Sequence, residues 1–294
     1  MRPTFHETSR RRILRLLAAA GLTVAGPRAS VASIERLFAP GKSLDAHWTA
    51  HDDTASARVD HASFDNFLRR YAARDRAGVV RVGYGNVTAS DRQALRSYVQ
   101  SLAAVPVRRL ARAEQLAYWI NLYNALTLGV VLDHYPVASV RDIDISPGLL
   151  ARGPWDKALV AVEGRELTLN DIEHRILRPI WSDPRIHYAV NCASVGCPNL
   201  RENAFTASTA PRQLDEGARD YVNDPRGVRI AADGVHASSI YDWFQEDFGG
   251  SEAGVLAHLA RYAGDALAAR LAEINSIAGY SYDWSLNDSR GAAR

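Results

Sequence analysis

The stretch that decides the fold is Ala117-Tyr118-Trp119-Ile120-Asn121-Leu122-Tyr123-Asn124-Ala125-Leu126-Thr127. It lies inside a longer run, Ala113 to Leu132, where Leu116, Trp119, Ile120, Leu122, Tyr123, Leu126, Leu128 and Val130 leave a helix almost no polar face. A helix that is apolar all round is a buried one, so the run predicts a central helix wrapped by the rest of the chain. Asn121 and Asn124 lie three apart on it, with Glu114 seven positions before Asn121 on the same stripe. Buried amides must be hydrogen-bonded. Either they satisfy the backbone of an irregular neighbouring segment, or they present donors to a substrate carbonyl or oxyanion across a cleft.

Outward from this helix the pattern is mixed. Phe64 to Tyr71 reads as a short helix, and Ser90-Asp91 caps another whose Leu95, Tyr98, Val99 and Leu102 keep helical spacing until Pro106. Before both, Pro40 to Thr54 reads as a polar, extended strap. Downstream, Leu159 to Val162 turns at Glu163-Gly164 into Arg165 to Leu167, and Val228 to Ile230 turns at Asp233-Gly234 into Val235 to Ala237. A helix from Asn170 to Leu177 is capped by Thr168 with Asp171 and stopped by Pro179. A long amphipathic helix is expected from Glu252 to about Ile274, and a closing strand from Tyr280 to Leu286. Helix outweighs strand without βαβ alternation. The expected fold is α+β, a single mainly helical domain with a small, largely antiparallel sheet and a buried central helix. Its expected divisions are an export signal at 1–32, a helical lead-in at 33–111, the α+β domain at 112–288 and a disordered tail at 289–294.

The signal is read from Ser9-Arg10-Arg11-Arg12, an apolar stretch from Leu16 to Ala25 and Ser30-Val31-Ala32, with cleavage expected after Ala32. The paired arginines resemble a twin-arginine signal, which predicts a periplasmic or otherwise exported protein. The formal net charge is +2. Residues 1–32 carry six arginines against one glutamate, and removing that +5 leaves the remainder near −3. No basic cluster then remains for nucleic acid or a membrane surface, and the expected partner is a small-molecule or peptide ligand. No cofactor or metal is assigned.

Both cysteines, Cys192 and Cys197, fall in Arg185 to Pro198, together with His187 and Asn191. Ile186 to Val190 is β-prone and reads as a short buried strand running into a Ser-Gly-Pro turn. Strand parity puts His187 and Asn191, four apart, on one face; Cys192, an odd offset from His187, joins them only if the strand ends or bulges. Three readings stay open. Cys192 is a nucleophile served by His187, with Glu173 as general base or imidazole orienter and Asn191 beside them; Cys192 and Cys197 close a small disulfide ring; or both cysteines with His174 and His187 hold a metal. Substrate contacts are assigned to Asn121, Asn124 and, four apart on one helix face after the second hairpin, Trp243 and Asp247.

Four segments resemble the family of the domain of unknown function numbered 547: Ala117 to Thr127, Leu169 to Arg178, Arg185 to Pro198, and Ser238 to Gly249. A fifth, Tyr282 to Asn287, looks like that family's C-terminal strand. The resemblance implies no assigned activity. From the residues themselves the reading is a thiol-dependent hydrolase or acyltransferase with a His/Cys cleft, the alternative being a disulfide-stabilised binding or structural module without turnover.

Overall fold

The structure is a computed structural model that describes residues 39–148 and 153–291. The expected signal, 1–32, lies outside the described residues, as does the end of the expected tail. Two helices lead in, α1 (Ala62–Tyr71) and α2 (Ala89–Ala103). Phe64, Phe67 and Leu68 face inward from α1, and Leu95, Tyr98 and Leu102 from α2. The Thr88 hydroxyl accepts the Asp91 amide and caps α2, one of the bonds that satisfies a helix's first N–H groups. The lead-in is not helical throughout: antiparallel strands β1 (Ala72–Arg74) and β2 (Val80–Val82) separate the two helices. Strands of three residues are too short for alternation to reveal.

The central helix, α3 (Arg112–His134), agrees with its expected span to within two residues at either end. Tyr118, Ile120, Leu122 and Val131 are fully enclosed, and Trp119 sits edge-on against Trp48 of the strap at 5.0 Å. A second hairpin, β3 (Val160–Val162) with β4 (Arg165–Leu167), follows as expected.

The next helix departs from its expected form. Asp171–Leu177 is a π-helix, and the chain then continues through Pro179 as α4 (Arg178–Trp181). Proline lacks the amide that an α-helix would direct at Arg175, and the wide turn frees carbonyls at this point. The strap satisfies them: the Ser43 and Asp45 amides donate to the His174 and Arg175 carbonyls, each at 3.0 Å.

Pro184–Tyr188 is a 3-10 helix, not the expected strand. The Asp183 carboxylate accepts the Arg185 amide at its start, and Pro184 fixes its first dihedral. Helix α5 (Ala210–Val222) precedes a three-stranded sheet of β5 (Val228–Ala231), β6 (Gly234–Ser238) and β7 (Ile277–Ser281). The β5–β6 pair is the expected hairpin, whereas β7 joins β6 in parallel and ends before Tyr282, so the closing strand is shifted toward the N-terminus. Only a single short turn, α6 (Ile240–Trp243), follows the hairpin. The long helix expected from Glu252 is two, α7 (Glu252–Tyr262) and α8 (Asp265–Leu271), broken where the Gly264 amide turns to Asn223 Oδ1 at 2.7 Å. The first residues of the expected tail, Ser289–Gly291, form a 3-10 turn.

Two hydrophobic clusters result, one around α1–α3 and one around α5, the three-stranded sheet and α7. The cysteine segment straddles them: Ile186, Ala189, Val190 and Ala193 belong to the first, Tyr188 to the second. Residues 282–288 run along the same seam as an irregular clasp. Leu286 donates to the Ala138 carbonyl, Asn287 to Ala193, and Asn287 accepts from Val82, at 2.8, 2.9 and 2.8 Å respectively. The Val195 and Gly196 amides return bonds to Ser285 and Asp283.

Candidate active site

Cys192 lies on a tight loop whose form is set by Asn191. The Asn191 side chain accepts the Ala193 amide at 2.9 Å and donates to the Pro198 carbonyl at 2.8 Å, tying the two ends of the loop together. Ala193 adopts a left-handed φ of 64°, a conformation that costs a residue with a Cβ about 1 kcal/mol or more. Strain of this kind clusters at functional sites. Gly196 is required where it stands, because a Cβ there would lie 2.6 Å from the Asp283 amide nitrogen.

Cys192 is half-buried as a residue, Cys197 is buried, and both are free thiols. Three groups converge on Cys192 Sγ: Ser194 Oγ at 3.0 Å, Tyr282 OH at 3.1 Å and Cys197 Sγ at 3.3 Å. The hydrogen bond from Cys197 is the largest influence on Cys192; burial opposes it, and Ser194 and Tyr282 add to it, so the thiol is lowered to about 6. Cys197, desolvated and beside the Cys192 charge, is driven the other way. One sulfur is thus prepared to be a thiolate and its neighbour to remain a thiol.

Glu173 projects from the π-helix. Such insertions re-aim a side chain and are frequent at functional sites. Burial raises its carboxyl to about 7, against the pull of Arg178's charge and the Tyr123 hydrogen bond; negative charge at Cys192 and Asp247 raises it further. His187 stands behind it, with Nδ1 3.7 Å from Glu173 Oε1 and Nε2 2.8 Å from Asp247 Oδ2. Burial depresses the imidazole's pKa, opposed by the Asp247 hydrogen bond. Burial pushes the Asp247 carboxyl upward, but the hydrogen bond and charge of His187, the Lys42 hydrogen bond and the Arg178 charge outweigh it and hold it far below the ordinary range.

Several expected roles change. His187 does not serve Cys192 directly: among the described residues no hydrogen bond joins them, and both ring nitrogens face carboxylates. The parity argument fails because the strand is a 3-10 helix. Asn191 shapes the loop with both ends of its amide engaged. Asn121 is bonded to the Phe205 backbone in both directions, and Asn124 to the Ala189 carbonyl and the Asn191 amide, so these amides hold irregular backbone. Asp247 does not share a helix face with Trp243, because α6 ends at Trp243. Asp247 instead joins Lys42 and Arg178 at 2.8 and 2.6 Å behind His187. Trp243 does border the thiol region: it stacks on Trp284 at 5.5 Å and touches Tyr282 at 4.9 Å.

The metal reading meets a cation already in place. Arg178 Nη1 lies 2.8 Å from His174 Nδ1, and among the described residues no group of three or more His, Cys, Asp or Glu is arranged around a common point for an ion.

Three contributors escape the sequence pattern, and a fourth, Arg178, enters it only as an ion-pair partner for Glu173. Tyr123 shares the apolar face of α3. Ser194 reads only as a turn former, Tyr282 only as a strand residue. Arg178, 2 % exposed, is the centre of the supporting network, bonding Asp247, Glu246, His174 and the Pro40 carbonyl and lying over the Phe244 ring. Its signal was an arginine inside an otherwise apolar helix end.

No curated protein and no solved structure matches the chain. Residues 107–222, the span holding the central helix, Glu173 and both cysteines, match the model of a family described as a protein of unknown function, DUF547.

Proposed function

We propose that Cys192 is the nucleophile of a thiol-dependent hydrolase or acyltransferase acting on a thioester or amide. The observation that carries this reading is the convergence of Ser194, Tyr282 and Cys197 on the sulfur of half-buried Cys192. As the thiolate adds to a carbonyl carbon, negative charge leaves sulfur for oxygen. The Ser194 and Tyr282 hydroxyls, 2.9 Å apart, are placed to follow that charge. Collapse of the tetrahedral adduct expels a thiolate or amine, which takes its proton from Glu173. The resulting carboxylate then deprotonates the water or acceptor that releases the acyl group. His187 and Asp247 fix the carboxyl's orientation from behind, as positioning residues. The partly exposed rings of Trp243, Tyr282 and Trp284 form the wall against which an acyl or peptide ligand lies. The chain is proposed to act after export.

The test is a panel of acyl thioesters and activated amides, assayed in single turnover with intact-mass detection. An acyl adduct confined to Cys192, and lost in Cys192→Ser, is expected. Turnover retained by Cys192→Ser, or no adduct across the panel, overturns the proposal.

A further inference from the structure

The contact between the two sulfurs supports the Cys192 thiolate and also sets a second nucleophile against it. Cys197 Sγ sits 3.3 Å from Cys192 Sγ and accepts the Cys192 amide at 3.2 Å. The loop that carries them is held at every point by other bonds. Asn191 joins residues 193 and 198; the Tyr221 hydroxyl binds the Gly196 carbonyl; Arg226 Nη1 binds the carbonyls of Val195 and Cys197 at 2.9 and 3.2 Å. Noncovalent ties thus keep the sulfurs in contact without a bond between them. Closing from contact to a disulfide of about 2.05 Å asks for a small side-chain movement only. Accessibility is divided as well: Cys192 faces the aromatic wall, and Cys197 is 6 % exposed behind it.

We propose that Cys192 and Cys197 form a two-electron dithiol couple that reduces disulfide bonds in other molecules, Cys192 attacking and Cys197 resolving. The inference rests on the nucleophilic Cys192 of the preceding reading and adds a second activity to the same loop. In the first step the Cys192 thiolate attacks one sulfur of R–S–S–R′, forming Cys192–S–S–R and expelling R′S⁻, which takes a proton from solvent. In the second, Cys197 attacks Cys192 Sγ, the S–S bond between Cys192 Sγ and the sulfur of R breaks, and the Cys197 proton leaves with the departing sulfur as R–SH. The substrate disulfide gains two electrons and two protons; the protein supplies both electrons and the Cys197 proton, solvent supplies the other proton, and the protein is left with a Cys192–Cys197 disulfide. A dithiol reductant of the dithiothreitol class reverses the exchange and recharges the pair.

The experiment uses reduced, reductant-free protein and 4,4′-dithiodipyridine, with release of the pyridinethione followed by absorbance and the product by intact mass. Wild type is expected to release two thiones per chain and to end lighter by two hydrogen atoms, carrying no pyridyl group. Cys197→Ser is expected to release one and to retain the mixed disulfide at least about 100-fold longer, because sulfurs held in contact react at a high effective concentration. Wild-type protein that stops at a stable mixed disulfide would overturn the couple while leaving the nucleophile intact. No rapid release at all would overturn both. The wild-type stoichiometry decides the matter even where the buried Cys197→Ser variant fails to fold.

Discussion

At the scale of single residues, two ionisations carry testable consequences. A Cys192 thiol lowered to about 6 makes iodoacetamide alkylation rise through that pH, well below the value of about 8.5 for an ordinary cysteine. Tyr282→Phe removes one donor to the thiolate and is expected to shift the midpoint of the rate profile upward by about one unit. Glu173 acts on stability. Its carboxyl is at about 7 in the folded chain against 4.5 as a reference, so the folded state holds a proton that the unfolded state has given up across that interval. The contribution is complete below 4.5 and is lost as pH rises through about 7. Glu173→Gln, which keeps the shape and cannot ionise, should flatten the fall in melting temperature across this window. An unchanged slope would mean that Glu173 is solvated. Cys192, His187 and Glu173, and the pairing of Glu173 with the imidazole, were legible from residue type and neighbourhood; Asp247 on the other ring nitrogen was not, because it meets His187 from sixty residues away.

At the scale of elements, the central helix was the most legible part of the chain, since an apolar run of that length has only one stable surrounding. Trp119 is 1 % exposed and packs on Trp48 and Tyr118. Trp119→Ala is expected to cost about 3–5 kcal/mol in denaturant unfolding, and a loss under about 1 kcal/mol would place the helix at the surface. The amides on this helix read correctly as needing partners, and the plainer of the two possibilities is what the structure contains: Asn124 supports the backbone at Ala189 and Asn191, on the approach to Cys192. The segment before the cysteines misled because Ile186, Tyr188 and Val190 are β-prone by composition. Asp183-Pro184 ahead of them is a helix-start signal, and the capping bond to the Arg185 amide decided the local form. The π-helix and the parallel β7 were illegible for a different reason: each is fixed by residues distant in sequence, the strap in one case and β6 in the other.

At the scale of the molecule, the expected balance of helix and sheet holds, an α+β chain with its sheets small and mostly antiparallel. The division into clusters was not foreseen, because hydrophobic residues in one segment do not reveal which neighbours they will choose. Export is the corresponding prediction here, motivated by the arginines and the Ser30-Val31-Ala32 site. Replacing Arg10 and Arg11 by lysine should strand unprocessed precursor in the cytoplasm, visible by fractionation and immunoblotting. Export of the double variant at the unaltered rate would remove the twin-arginine reading.

The clasp at 282–288 bears on how the molecule comes into being. A ribosome delivers Cys192 about ninety residues before Tyr282, and until the later segment emerges the cysteine loop lacks the partners for its Val195 and Gly196 amides and the hydroxyl that steadies the sulfur. The thiol is therefore synthesised early and completed late. A nascent or C-terminally shortened chain has Cys197 and Ser194 near the sulfur in sequence but lacks the Tyr282 hydroxyl and the carbonyls that hold the loop, so the full set of partners belongs only to protein whose last strand and clasp have docked.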